Sequence, residues 1–213
     1  MAIAGIILAG GASTRMGQEK ATMLVDGVTM IVRVAHTLRK AGCSPLLISV
    51  HDVAQRSRIA GILSHIANVE FVLDDSPQRG GRHGLITALK RCVENDWKKV
   101  QLAPCDVPWL QAELLAALWD NFPENGCRLI LPRSSAQGLT GTGGLEPMLA
   151  TVEPIPLLAA FDEADDDARL IDVMRRLPHR VLTESEWRGA GVSDSCFQNV
   201  NRMQDLEQSL PDH

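Results

Sequence analysis

The chain has no excess of positive charge: 21 Lys and Arg residues stand against 26 Asp and Glu, a formal charge of −5. General attraction to nucleic acid or to an anionic membrane is thereby excluded. Any anion site has to be a local gathering of Lys, Arg and backbone N–H groups. No apolar run is long enough to cross a bilayer. The five cysteines, Cys43, Cys92, Cys105, Cys127 and Cys196, are odd in number, and no two lie in Cys-x-x-Cys spacing. That argues against a zinc knuckle, a thioredoxin-type motif or a disulfide framework, and for reduced thiols. Aromatic residues make up only 4%, and Trp97, Trp109, Trp119 and Trp187 read as packing residues rather than a base-stacking platform. The apolar opening, Met1 to Gly11, has no basic residues before it. It reads as a buried strand rather than a secretion signal, which points to a cytoplasmic protein.

What is present suits one globular domain: 213 residues, 45% hydrophobic and 22% charged, with no internal repeat and no long linker. Apolar runs at 3–8, 46–50, 69–73, 100–103 and 128–132 predict strands. Helices are expected at 29–41, closed by Gly42, and from a cap at Asp52 to about Ile66. Others are expected at 84–95, 111–119, 154–176 with an acidic interruption, and 202–209. Residues 133–144, rich in Ser, Gly and Thr, read as a mobile loop. Such alternation predicts a mostly parallel sheet covered by helices on both faces. Ligands in these folds lie beyond the carboxyl ends of the strands, here just after Leu8, Val50, Leu73 and Ala103.

Those four places hold the residues that could carry chemistry. The first strand runs into Leu8-Ala-Gly-Gly-Ala-Ser-Thr-Arg-Met-Gly-Gln-Glu-Lys20. Gly10 and Gly11 permit a sharp turn whose N–H groups can meet phosphate oxygens, and Arg15 and Lys20 add charge nearby. The spacing is neither a Walker A loop nor Gly-x-Gly-x-x-Gly. Asp106, between Pro104 and Pro108 at the end of the fourth strand, could hold Mg2+ or could cap the following helix. Asp75, then Arg79, Gly80, Arg82, His83 and Gly84, lead into a helix start that could meet an anion or could be a solvated loop. Asn199 and Asn201 alternate along an extended segment and could serve a hard metal or a ribose, or simply turn the chain. The run from Asp162 to Asp167 reads as a solvated acidic loop.

Taken together, these segments resemble the nucleotidyltransferases of molybdenum-cofactor maturation, most closely the MobA-type guanylyltransferase family. Leu8 through Gly17 with Lys20, Pro104-Cys105-Asp106-Val107-Pro108, the pair Gly80 and Gly84, and Asn199-Val200-Asn201 with Asp205-Leu206 follow the family's motifs in order. The Gly10-Gly11 pair is the guanylyl form of the opening motif. Two segments depart from the family's pattern: Lys20 is followed by Ala-Thr-Met, and Gly81-Arg82-His83 stands between the paired glycines. The resemblance implies a three-layer α/β, Rossmann-like nucleotidyltransferase fold with a mostly parallel central sheet. Residues 1–108 would form mainly a nucleotide-binding half and 109–213 mainly an acceptor-binding half.

The implied reaction is Mg2+-dependent transfer of GMP from GTP to the phosphate of molybdopterin, releasing pyrophosphate. Leu8, Ala9, Gly10, Gly11, Lys20, Ser49, Asp75 and Asp106 would bind GTP. Gly80, Arg82, Gly84, Asn199 and Asn201 would bind the acceptor, and Asp106 with Asn201 would hold the metal. Arg15, Lys20 and Asp106 would be catalytic. Partners besides GTP and molybdopterin would be proteins that deliver the cofactor or receive it, with no nucleic acid and no membrane. The alternatives are a molybdopterin cytidylyltransferase, a sugar-phosphate nucleotidyltransferase, and a nucleotide- or cofactor-binding module without turnover.

Overall fold

In a computed structural model, which describes residues 3–10, 19–74, 81–135 and 144–200, the central feature is a seven-stranded sheet. Its strands are β1 (Ala4–Leu8), β4 (Leu46–Val50), β5 (Val69–Leu73), β6 (Val100–Pro104), β7 (Leu129–Pro132), β8 (Thr151–Val152) and β9 (His179–Leu182). A separate hairpin pairs β2 (Leu24–Val25) with β3 (Val28–Thr29). Spatial order in the large sheet is β5-β4-β1-β6-β8-β7-β9. Its pairs are parallel except where β8 meets β6 and β7.

Every residue of β1 and β4 is buried. A strand covered on both faces must be apolar at every position rather than at alternate ones, which is why these runs are so legible in the sequence. Ile7 and Ile48 lie in one core, with the buried faces of α1 (Met30–Ala41), α2 (Val53–Ile62), α4 (Ala112–Asp120) and α7 (Glu184–Gly189). Ile6, Leu8 and Leu47 lie in the other, with α3 (Gly81–Glu94), α5 (Pro154–Asp162) and α6 (Leu170–Arg175). The three-layer α/β arrangement implied by the sequence is thus present. Gly42 ends α1 in the left-handed region at φ 102°, a conformation glycine adopts at little cost.

Several elements differ from expectation. The helix capped by Asp52 stops at Ile62, and α3 begins at Gly81 rather than at residue 84. The acidic interruption divides 154–176 into α5 and α6. The hairpin, β8, β9 and α7 were not expected. The proposed helix at 202–209 lies outside the described residues. No described helix is long and apolar enough to cross a membrane.

Register brings the site together. Leu8 pairs with Ser49 on one side and with Pro104 on the other, and Val50 pairs with Leu73. The carboxyl ends of β1, β4, β5 and β6 are therefore level. The segments leaving them, Ala9–Gly10, His51–Asp52, Asp74 and Cys105–Asp106, share one edge of the sheet.

Candidate active site

Two charged side chains meet at that edge. Lys20, at the start of a 3-10 turn (Lys20–Thr22), places Nζ 3.1 Å from Asp106 Oδ2. Both are part-buried, with side-chain exposures of 26% and 20%. Partial burial strengthens such a pair relative to a surface one, yet leaves room for a ligand to reach it. Neighbouring elements pin the segment bearing Asp106. Arg33 of α1 donates from Nε to the Pro108 carbonyl at 3.0 Å and from Nη1 to Val25 of the hairpin. Thr37 donates to the Leu110 carbonyl. The Val200 amide donates to the Asp106 carbonyl at 2.9 Å. That last bond brings Val200 to the backbone of Asp106, 94 positions earlier in the chain, with exposed Asn199 preceding it.

The turn after β1 is held by the protein itself. Ser49's carbonyl accepts from both Ala9 and Gly10 N–H, at 3.0 and 3.1 Å, and the Leu8 carbonyl accepts from Cys105 N–H. The amides of Ala9 and Gly10 thus serve the sheet, whereas the Gly10-Gly11 turn was expected to offer its N–H groups to phosphate. A Cβ placed on Gly10 would come no closer than 3.7 Å to its described neighbours, an ordinary contact. Packing against the described residues does not by itself require glycine at that position.

Gly84 is the opposite case. A Cβ there would lie 2.7 Å from Ser49 Oγ, and that hydroxyl donates to the Gly84 carbonyl at 3.1 Å. Ser49 is 1% exposed. Ser49, expected at GTP, and Gly84, expected at the acceptor, are here bonded to each other and lock β4 to α3. Arg82 is likewise committed elsewhere. Its guanidinium lies 5.1 Å from the Phe161 ring centroid and donates to the carbonyls of Asp165, Asp166 and Ala168. It holds the acidic loop between α5 and α6.

Gly11, Arg15, Asp75, Arg79, Gly80 and Asn201 lie outside the described residues. The cysteines are free thiols. Burial pushes Cys105, next to Asp106, up to about 12, so it stays protonated and is a poor nucleophile. Reasoning from sequence missed Arg33 and Gln55, which position the site. The second had a signal, because Asp52 and Gln55 have the N-cap and N3 spacing of a capping box.

Among the described residues no three His, Cys, Asp or Glu side chains converge as a metal cage. Asp106 nevertheless accepts a cation, for the Lys20 ammonium lies against it. One carboxylate is what a protein contributes to Mg2+ when substrate phosphates supply other oxygens, so the residues present fit such an ion.

A sheet whose carboxyl edge joins a strand-end carboxylate to a lysine ammonium beside a glycine turn is the frame of an enzyme acting on a polyphosphate. Residues 5–181 match the family model described as MobA-like NTP transferase domain. The chain belongs to that family and is a nucleotidyltransferase. A protein of Natronomonas pharaonis named probable molybdenum cofactor guanylyltransferase is 32% identical over 208 residues, covering 96% of this chain and 95% of its own. One from Opitutus terrae with the same name is 28% identical, covering 100% and 96%. Among solved structures, molybdopterin-guanine dinucleotide biosynthesis protein A from Archaeoglobus fulgidus superposes with a TM-score of 0.72 at 22% identity, covering 97% of this chain and 96% of that one. The 4-diphosphocytidyl-2C-methyl-D-erythritol synthase of Anaerococcus prevotii superposes at 0.70 with 11% identity, covering 98% and 96%. These two likenesses speak to the fold alone.

Proposed function

We propose that this protein transfers GMP from GTP to the terminal phosphate of molybdopterin. An acceptor oxygen bonds to the α-phosphorus, the α–β bridge breaks, and pyrophosphate leaves. The observation that carries this reading is the Lys20–Asp106 pair, 3.1 Å apart at the edge where the Leu8–Gly10 turn ends. The names of the near full-length relatives support the choice of acceptor and nucleotide.

The acceptor phosphate has a second pKa of about 6 and is largely ionised at neutral pH, so no general base is required. What the site has to supply is positioning of two anions and stabilisation of charge on the leaving group. Asp106, helped by Asn201, would hold Mg2+, which when bound neutralises phosphate charge and polarises the α-phosphorus. Lys20 would shift from its carboxylate partner toward the phosphates, and Arg15 would add charge to the leaving pyrophosphate. Asp75 would contact the nucleotide. Asn199, exposed next to the Asp106 segment, would face the acceptor. Residues 1–108 would mainly seat the nucleotide and residues 109–213 the acceptor.

The test is pyrophosphate release with GTP or CTP, Mg2+ and molybdopterin bearing molybdenum. Turnover that needs the acceptor and favours GTP is expected. A preference for CTP would make this a cytidylyltransferase, and nucleotide binding without release would make it a binding module. Asp106→Ala should remove most turnover while the protein stays folded; near-normal activity in that variant refutes the role of the carboxylate.

A further inference from the structure

Gln55 is a buried polar side chain that the reaction above does not use. It sits in the first turn of α2, is 1% exposed, and has both ends of its amide engaged. Oε1 accepts from the His51 backbone N–H at 2.8 Å, and Nε2 donates to the Ala9 carbonyl at 3.0 Å. One partner only donates and the other only accepts, so the amide can sit in a single orientation. Its own N–H donates to Asp52 Oδ1 at 2.6 Å, and this cap bond is the main cause that holds the Asp52 carboxyl below its usual range. The side chain therefore starts from a helix turn that is itself fixed.

We propose that Gln55 is a positioning residue for the nucleotide: it clamps Ala9 and so fixes Ala9–Gly10 where the chain leaves β1. The turn is gripped from two sides. Ser49's carbonyl holds the Ala9 and Gly10 amides, and Gln55 holds the Ala9 carbonyl. Without Gln55, the buried Ala9 C=O and the part-buried His51 N–H lose this partner. The strand pairing of β1 with β4 and β6 does not involve it, so the sheet survives while the turn loosens. This inference rests on reading that turn as part of the nucleotide site.

Two variants separate positioning from bulk stability. Gln55→Leu keeps the volume and removes both bonds. Gln55→Glu keeps the shape, but only its neutral acid can donate to Ala9, and burial raises the pH at which that acid survives. Two measurements apply to each: hydrogen exchange at the Ala9 and Gly10 amides in the ligand-free protein, and affinity for GTP, which needs no turnover. Gln55→Leu should exchange faster at both amides and bind GTP about tenfold more weakly, the scale of one net hydrogen bond, with the KM for the acceptor unchanged. Gln55→Glu should behave likewise at about pH 8 and recover toward wild type near pH 6 as the carboxyl takes a proton.

Unchanged exchange in Gln55→Leu refutes the clamp, and faster exchange with wild-type GTP affinity refutes its bearing on the nucleotide. Equal loss for both substrates, with no recovery of Gln55→Glu at low pH, shows a merely structural role and overturns the proposal. If Gln55→Leu does not fold, the pH response of Gln55→Glu decides alone. Wild-type protein that binds no nucleoside triphosphate instead refutes the nucleotide reading, a failure visible before any variant is made.

Discussion

The two flanks of the sheet hold their strands by different means. On one side, β5-β4-β1-β6 is parallel, and its two central strands β1 and β4 are buried at every residue. On the other, β8 is two residues long, runs antiparallel to both neighbours, and is tied by a polar hub. Gln101, fully buried in β6, accepts from Thr151 and from the Trp119 indole and donates to the Leu149 and Leu102 carbonyls. A parallel flank needs only apolar strands and crossover helices. A short antiparallel insertion has too little ladder of its own, so side-chain hydrogen bonds supply its register. The Lys20–Asp106 pair lies at the first flank's edge, and Arg82 of α3 joins that flank to the loop after α5.

The largest expected contrast is between Lys20→Ala and Gln101→Leu. The first removes a cation from the site edge and nothing from either core. Turnover should fall by about 100-fold or more, with nucleotide affinity weakened and melting temperature nearly unchanged. Retained affinity and turnover would remove Lys20 from the phosphate site. The second leaves the Thr151 hydroxyl and the Trp119 indole without their acceptor. A loss of about 2–4 kcal/mol in a denaturant titration is expected. A loss well below that would mean the β8 flank is held by packing after all.

Two glycines sharpen the same comparison at smaller scale. Gly84→Ala forces a methyl against Ser49 Oγ, 2.7 Å away, and should cost about 1–3 kcal/mol of stability. Ser49→Ala made with it opens the space and should return part of that loss, which a double-mutant cycle measures. Gly10→Ala meets only ordinary contacts among the described residues, so stability should stay within about 0.5 kcal/mol while nucleotide affinity falls. If Gly10→Ala binds nucleotide normally, the glycine is there for neither packing nor ligand.

How far the sequence could be read follows the same division. The strands of the parallel flank announce themselves because burial on both faces makes them unbroken apolar runs, as in Leu46–Val50. Lys20 and the segment ending at Val200 meet Asp106 at the level strand ends, where the strand-end rule and the family resemblance directed attention. The two residues of β8 carry no periodicity, and β9 begins with exposed His179 and half-buried Arg180, so neither stands out as a strand. Ser49 and Gly84 drew attention by family resemblance and Arg82 by its charge, and only tertiary packing reveals the contacts each makes within the protein. Gln55 was legible as a cap partner of Asp52, but its reach to Ala9 spans 46 positions and required the fold.

The smallest effect concerns Glu146, on the far flank. Its carboxyl is raised above the ordinary glutamate range, chiefly by burial, while the bond from Ser134 pulls the other way. Ser134 Oγ is 2.7 Å from Glu146 Oε1 and 3.2 Å from the Gly144 carbonyl. One hydroxyl proton cannot serve both acceptors fully. A neutral Glu146 resolves the conflict by donating to Ser134, which frees Ser134 to donate to Gly144. Because the folded value is raised, this group's contribution to stability is fully present below the unfolded pKa of about 4.3 and is lost as pH rises through the folded value. A glutamine amide in the same place would donate at every pH. Glu146→Gln should therefore match wild type in acid and gain up to about 1 kcal/mol at neutral pH. Melting temperatures of both proteins across that range check the sign, and a Glu146→Gln variant less stable at neutral pH than wild type would show that the ionised carboxylate has a partner worth keeping.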